Sequence, residues 1–297
     1  MIATELSARK YPVDSHTHAY AHYSEPGVKP PRRVNEMVEA AMAVGLSAIT
    51  LNDHFPLPLG FADPTPDLDC AMPMNDYSTY QAEVTTAQQL YGDRILVLRG
   101  AEVDYLPGYK DWTRQELEKY DFDSRTGSVH FLGNNGKNEL LLDFDSHGFA
   151  QCVDYYRDIR TTVQEYYKRI RAMVDTGMFD IVGHPDLVKK YNDGTLFTGS
   201  ETWYRSEVTK TLDGIAKSCM AIELNTSGWD KTCKEQYPSE WILREAFARN
   251  IPITLSSDAH KPEDVGKNID RAVVLAKNVG YTSVVRFVKR KKEEVTI

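Results

Sequence analysis

No apolar run in this 297-residue chain approaches the roughly 18 to 20 residues needed to cross a bilayer, which argues against a membrane-spanning protein. The opening MIATELSARKYP lacks the apolar core of a signal peptide, so a cytoplasmic location is expected. Cysteine is scarce: Cys70, Cys152, Cys219 and Cys233 are scattered with no C-x-x-C spacing, so neither a zinc ribbon nor a disulfide framework is indicated and reduced thiols are expected. Nor is there an excess of positive charge. With 35 Lys+Arg against 43 Asp+Glu, the net charge of -8 argues against a general nucleic-acid binder, whose affinity comes from neutralising phosphates. One small phosphate can still be bound locally. Repeats, low-complexity tracts and Pro/Gly/Ser linkers are missing as well, so residues 1–297 are expected to form one domain. The sequence leaves the oligomeric state open.

What is present is an alternation. Short apolar, β-branched segments at 11–14, 46–51, 94–103, 126–132, 179–183, 220–225 and 251–256 read as strands. Most are separated by helix-like stretches, including 34–45 ending on Gly45, 163–177 ending on Gly177, and 239–250 opening on Ser239 as an N-cap. About seven βα units predict a parallel α/β architecture, either a barrel or a doubly wound sheet. The proline-rich stretch 55–73 reads as a long loop over the strand ends, and 288–295, VKRKKEEV, as the solvated face of a terminal helix.

Six of the eight histidines fall at strand ends. His16 and His18 follow the first strand in DSHTH, His54 the second in NDH, and Glu102 closes the third. His130 lies in the fourth in GSVHF, His184 follows the fifth in GHPDL, Asn225 and Thr226 follow the sixth, and Asp258 and His260 follow the seventh in DAH. In a parallel barrel all these ends share one face, so residues far apart in sequence converge. Side chains alternate along an extended segment, which places both imidazoles of H-x-H on one side. Neutral imidazoles and carboxylates suit zinc, iron or manganese rather than an all-oxygen calcium or magnesium cage, and eight N/O ligands are too many for one tetrahedral ion. A lone histidine after a strand is commonly a hydrogen-bonding core residue. Six in this pattern indicate a metal centre. His22, in AYAHYS, lies in the loop after the first strand and is a candidate for completing a metal shell, whereas His147, in FDSHGF, is read as an ordinary loop residue.

The ordered set DSHTH at 14–18, NDH at 52–54, Glu102, His130, His184 and DAH at 258–260 resembles the polymerase-and-histidinol-phosphatase (PHP) family of metal-dependent phosphoesterases. GSVHFL, FDIVGHPDLVKKY, ELNTSG and QYPSEWIL resemble the surroundings of these residues in its histidinol-phosphatase branch. The resemblance implies a distorted seven-stranded (β/α) barrel with two to three divalent transition metal ions at the C-terminal ends of the strands. It places His16, His18, Glu102 and Asp258 on one metal, and Glu102, His130 and His184 on a second, with Glu102 bridging. His54 and His260 hold the third, with His22 as the remaining ligand from its loop.

The implied reaction is hydrolysis of a small phosphorylated substrate, L-histidinol phosphate, to the alcohol and inorganic phosphate. Metals bridged by Glu102 would activate a water, with Asp258 or His260 as candidates for delivering the leaving-group proton. Where histidinol phosphatases often carry an arginine after N-T-A-G, this chain reads NTSGWDKTCK, so Lys231 is a candidate phosphate contact, and Arg160 is another because a guanidinium grips phosphate through two parallel hydrogen bonds. The alternatives are a PHP phosphoesterase acting on another small phosphate ester, a non-catalytic metal-binding PHP module, and amide hydrolysis by a related metal barrel. The last usually recruits a lysine at a middle strand end, and none is offered here.

Overall fold

The computed structural model describes residues 11–20, 32–65, 68–134 and 137–297, and His22 lies outside them. In chain order the regular elements are β1 (Asp14–Thr17), α1 (Val34–Val44), β2 (Ala48–Leu51), α2 (Met74–Tyr91), β3 (Leu96–Asp104), α3 (Lys110–Leu117) and β4 (Ser124–Ser128). There follow β5 (Phe131–Asn134), β6 (Lys137–Leu141), α4 (Ser146–Tyr156), α5 (Ile159–Val174), β7 (Ile181–Val182), α6 (Thr202–Ser218) and β8 (Ala221–Asn225). The chain ends with α7 (Glu240–Ala248), β9 (Ile253–Ser256), α8 (Ile269–Val279), β10 (Ser283–Val288) and β11 (Lys291–Thr296). No helix among the described residues is long and apolar enough to cross a membrane.

Seven strands form one sheet in the order β1-β2-β3-β4-β7-β8-β9, and every neighbouring pair is parallel. The order runs round without reversing, so the doubly wound alternative falls. The two edges meet: Asp258 N–H donates to His16 O at 2.9 Å and His18 N–H to Ala259 O at 2.7 Å. The result is a nearly closed (β/α)7 barrel.

Local chemistry explains the pieces. All of β2, AITL, is buried, as expected of a parallel strand covered on both faces. Gly45 ends α1 at φ 85°, a left-handed conformation that suits glycine. Helix α5 is capped by Asp158, whose carboxylate accepts from Thr161 N–H at 2.7 Å, and it buries Val163, Tyr166, Tyr167, Ile170, Met173 and Val174 along one stripe.

The structure departs from the sequence reading in several places: His147, read as a loop residue, lies in α4, and the helix read to Gly177 ends at Val174. The first strand begins at Asp14, so His16 lies within β1 rather than after it. The segment read as one strand at 126–132 divides: β4 ends at Ser128, and Phe131 begins the β5–β6 antiparallel hairpin. Ser239 occupies the N-cap of α7 without capping, because its hydroxyl is turned toward Asp186 Oδ2, at 3.0 Å, and accepts from Lys189 Nζ at 2.7 Å instead of from the helix. Finally, 288–295 is not a helix face. It belongs to the β10–β11 hairpin, in which the consecutive exposed charges Lys291, Lys292, Glu293 and Glu294 keep an edge strand in water.

That last hairpin stops the N-terminal end of the barrel. Val285 and Phe287 pack on Ile181 and Ala221, near the beginnings of β7 and β8. Arg290 grips Asp180 with its Nε and Nη2, while its backbone N–H donates to Asp123 O at 2.8 Å.

The β5–β6 hairpin is held from outside by Arg169 of α5. This buried guanidinium donates to Glu139 Oε2 at 3.0 Å and to the carbonyls of Phe131 and Gly133 at 3.0 and 2.8 Å. Removing one partner of such a pair strands the other charge in the interior. Arg169→Ala is expected to lower the unfolding free energy by about 3–5 kcal/mol in urea denaturation, and a loss under about 1 kcal/mol, typical of an exposed pair, would contradict this role.

Candidate metal centre

Backbone pairing delivers the functional side chains to one place. Asn52 N–H donates to Thr17 O, Glu102 N–H to Asn52 O, and Phe55 N–H to Glu102 O, so the ends of β1, β2 and β3 are laced together just where His18, His54 and Glu102 project. At the other side, Gly183 packs so closely on Ser128 and Thr126 that a Cβ there would collide with the Ser128 hydroxyl. The next residue, His184, has φ 20°.

Glu102 is the hub. Its Oε2 lies 3.0 Å from His54 Nδ1, 3.3 Å from His16 Nε2 and 3.6 Å from His18 Nε2. Its Oε1 faces the opposite group, 2.9 Å from His184 Nε2 and 3.4 Å from His130 Nε2, and accepts from Ser128 Oγ at 2.7 Å. Asp258 Oδ1 is 3.3 Å from His18 Nε2 and 4.0 Å from His16 Nε2. The rings of His18 and His260 stack at 4.1 Å. Three groups have ligand atoms within 4.8 Å of one another: His16, His18 and Asp258; His18, His54 and His260; His54, Glu102 and His130.

The donor set fits divalent transition metals, which require ionised carboxylates and deprotonated imidazoles. Although burial alone would raise Glu102, the surrounding His54, His16 and His130 hold it well below the usual carboxylate range. Asp258, also opposed by burial, is held down by His16 and His18. Burial and the neighbouring His260 push His18 down to about 3. Burial works to lower His16 and His130 too, but the carboxylates beside them prevail, Glu223 and Glu102 for the first and Asp104 and Glu102 for the second. A proton on these two rings relieves the same excess of negative charge that a metal cation would. His16 Nε2 itself is buried, makes no hydrogen bond, and points into the cluster.

Behind the ligand atoms stands a second set of acids that the sequence reading missed. Asp104 Oδ1 lies 2.7 Å from His130 Nδ1, and Glu223 Oε1 lies 2.6 Å from His16 Nδ1. Asp53 accepts from the backbone N–H groups of Ala19 and Tyr20 and so fixes the chain beyond H-x-H. A period-two signal was available, since Asp104 follows Glu102 by two residues and Glu223 precedes Asn225 by two on inward-facing strands.

A cavity opens over the cluster, bounded on one side by Thr65, Asp69 and Cys70 of the 55–73 loop. His260 is 42% exposed and Asp258 16%, which puts them at its open side. Lys231 is on the wall, as are Lys190 and Lys267; Lys190 donates to Asp143 Oδ2 at 3.0 Å and Lys267 to Asp230 at 2.8 Å. Arg160 is exposed in the first turn of α5 and is not among the wall residues. His147 sits in the first turn of α4, exposed, with its Nε2 3.2 Å from Gln151 Nε2.

Such a barrel, with histidines and carboxylates converging at the C-terminal ends of its strands, defines the class of metal-dependent hydrolytic barrels. The PHP domain family model matches residues 14–227, and the chain belongs to that family. It is similar to a probable histidinol-phosphatase from Deinococcus radiodurans, 32% identical over 84% of this chain and 88% of that protein. A histidinol-phosphatase from Bacillus subtilis is likewise 32% identical, over 78% of this chain and 89% of the relative. Among solved structures, the histidinol phosphate phosphatase from Lactococcus lactis, complexed with zinc, L-histidinol and phosphate, shares the fold with a TM-score of 0.72 at 22% identity, covering 95% of this chain and 98% of the other.

A ligand that binds the folded state alone stabilises it in proportion to the logarithm of its saturation. Zinc restored to chelator-treated protein at a free concentration 1,000 times its Kd is expected to add about 4 kcal/mol to the unfolding free energy in urea. An unchanged midpoint would remove the metal centre.

Proposed function

We propose that this protein hydrolyses L-histidinol phosphate to L-histidinol and inorganic phosphate, as a metal-dependent phosphoric monoester hydrolase. One observation carries the reading. The carboxylate that the resemblance makes a bridge, Glu102, presents one oxygen to His16, His18 and His54 and the other to His130 and His184 in a chain 32% identical to histidinol-phosphatases.

In this proposal two to three ions of zinc, iron or manganese would be held by His16, His18, Glu102 and Asp258, by Glu102, His130 and His184, and by His54 and His260. When bound, such ions supply Lewis acidity, lowering the pKa of water toward neutrality and neutralising charge that grows on the phosphoryl oxygens. The chain's own residues do the rest. Ser128 orients Glu102 by donating to Oε1. Asp258 or His260, at the open side, is the candidate for passing a proton to the departing alkoxide, a role with which its own ligation of metal would compete. Lys231, on the cavity wall, supplies positive charge for the phosphate, with Lys190 and Lys267 as further cations there. Arg160, off that wall, is the weaker of the two candidates raised from sequence. The reading includes a cytoplasmic location, where a small phosphorylated metabolite is met.

Phosphate release across a panel of histidinol phosphate, sugar phosphates, nucleotides and p-nitrophenyl phosphate tests the assignment. Histidinol phosphate is expected to lead in kcat/KM, and His130→Ala to lower that value by at least about 100-fold, the order of loss when one stabilising group leaves an active site. Equal turnover of all the esters would sink the substrate assignment; full activity in His130→Ala would sink the site.

A further inference from the structure

Glu223 is wholly buried in the middle of β8, and none of the roles above accounts for a charge there. Its two oxygens reach in different directions. Oε1 lies 2.6 Å from His16 Nδ1, while Oε2 accepts the backbone N–H of His184 at 2.9 Å and the side-chain amide of Asn225 at 3.3 Å. The same Asn225 amide lies 3.2 Å from Asp258 Oδ2, which also takes the Ser227 hydroxyl at 3.3 Å. One carboxylate therefore touches a residue of β1, the turn after β7 and, through Asn225, the turn after β9.

With both N–H donors of its surroundings on Oε2, Glu223 meets His16 as an acceptor through Oε1, and His16 donates from Nδ1. In a neutral imidazole that leaves the lone pair on Nε2, the buried atom with no hydrogen bond that faces Glu102 and Asp258. At His184 the constraint is on the backbone: a non-glycine residue at φ 20° is strained, and the accepted N–H holds it there with its Nε2 against Glu102.

We propose that Glu223 is a positioning residue that sets the tautomer of His16 and the backbone of His184 together, so that two imidazoles from opposite sides of Glu102 are registered by one carboxylate. The inference rests on the reading that these imidazoles hold metal. It goes beyond that reading by assigning the register of the site to a residue that is not a ligand.

Glu223→Gln tests it with little change of shape. The amide oxygen can still accept one N–H, but the pair can no longer satisfy both His16 Nδ1–H and His184 N–H; an amide N–H turned toward His16 forces the proton to Nε2, the wrong tautomer for ligation. Zinc affinity, measured by competition with a chromogenic chelator, is expected to fall on the order of 10–100-fold. In zinc-loaded, histidine-labelled protein, the hydrogen-bonded Nδ1–H proton signal of His16, assigned by its loss in His16→Gln, is expected to disappear or move upfield. A mere packing role would lower the thermal midpoint without moving that signal.

Zinc affinity equal to wild type, with the signal in place, overturns the inference and leaves the metal reading standing. Wild-type protein that binds no zinc overturns both. Should Glu223→Gln not fold, Glu223→Asp keeps the charge but draws it back by one methylene, and the same two measurements apply with the same expected directions.

Discussion

A single ionised carboxylate placed where five imidazoles meet is the constraint on which this molecule is organised. Glu102 is almost wholly buried, and an unpaired carboxylate there would be strongly disfavoured. It persists because His16, His18, His54, His130 and His184 are brought within 3.6 Å of it from four different strand ends. Only a parallel arrangement sends all those ends the same way. The seam between β1 and β9 matters for the same reason: it closes the ring at Asp258 and places that residue beside H-x-H.

The barrel consequently carries two kinds of interior. Between strands and helices the packing is apolar, built from residues such as Ile49, Leu51, Ile222 and Leu255. Inside the ring the side chains are polar and joined to one another: Asn52 to Thr126, Ser15 to Thr254, Ser128 to Glu102, Glu223 to His16. Polar cores of this kind are stable only when their members find partners. Here the partnering does double duty, because the groups that satisfy one another also fix the angles of the histidines above them.

Much of this was legible in the sequence. Six of the seven barrel strands overlap the short apolar runs marked in the sequence, the first having been placed three residues early and meeting its run only at Asp14, and the six histidines near strand ends announced the convergence. Period-two alternation also contained Asp104 and Glu223, but an acid on a strand does not declare which imidazole it will face across the barrel. That depends on the neighbour order β7-β8-β9-β1, a tertiary fact. The terminal hairpin was misread because Lys291–Thr296, taken alone, has the charge pattern of a solvated helix, and only its pairing with the buried face of Ser283–Val288 makes it a strand. Of the lysines on the cavity wall, Lys231 was singled out but Lys190 and Lys267 were not, since a lysine is placed on a wall or off it by loops with no local signature.

Among the described residues, the hairpin that stoppers the N-terminal end makes the barrel a vessel open at its upper end. Its lower opening is filled by Val285 and Phe287 and tied down by Arg290, while the cavity walls all belong to the upper end. Among the described residues, reactant and products share the doorway past His260 and the loop residues Thr65, Asp69 and Cys70. An ester enters as one molecule and leaves as two, so departure has an order imposed by depth: whichever fragment sits nearer the floor waits for the other to clear the passage.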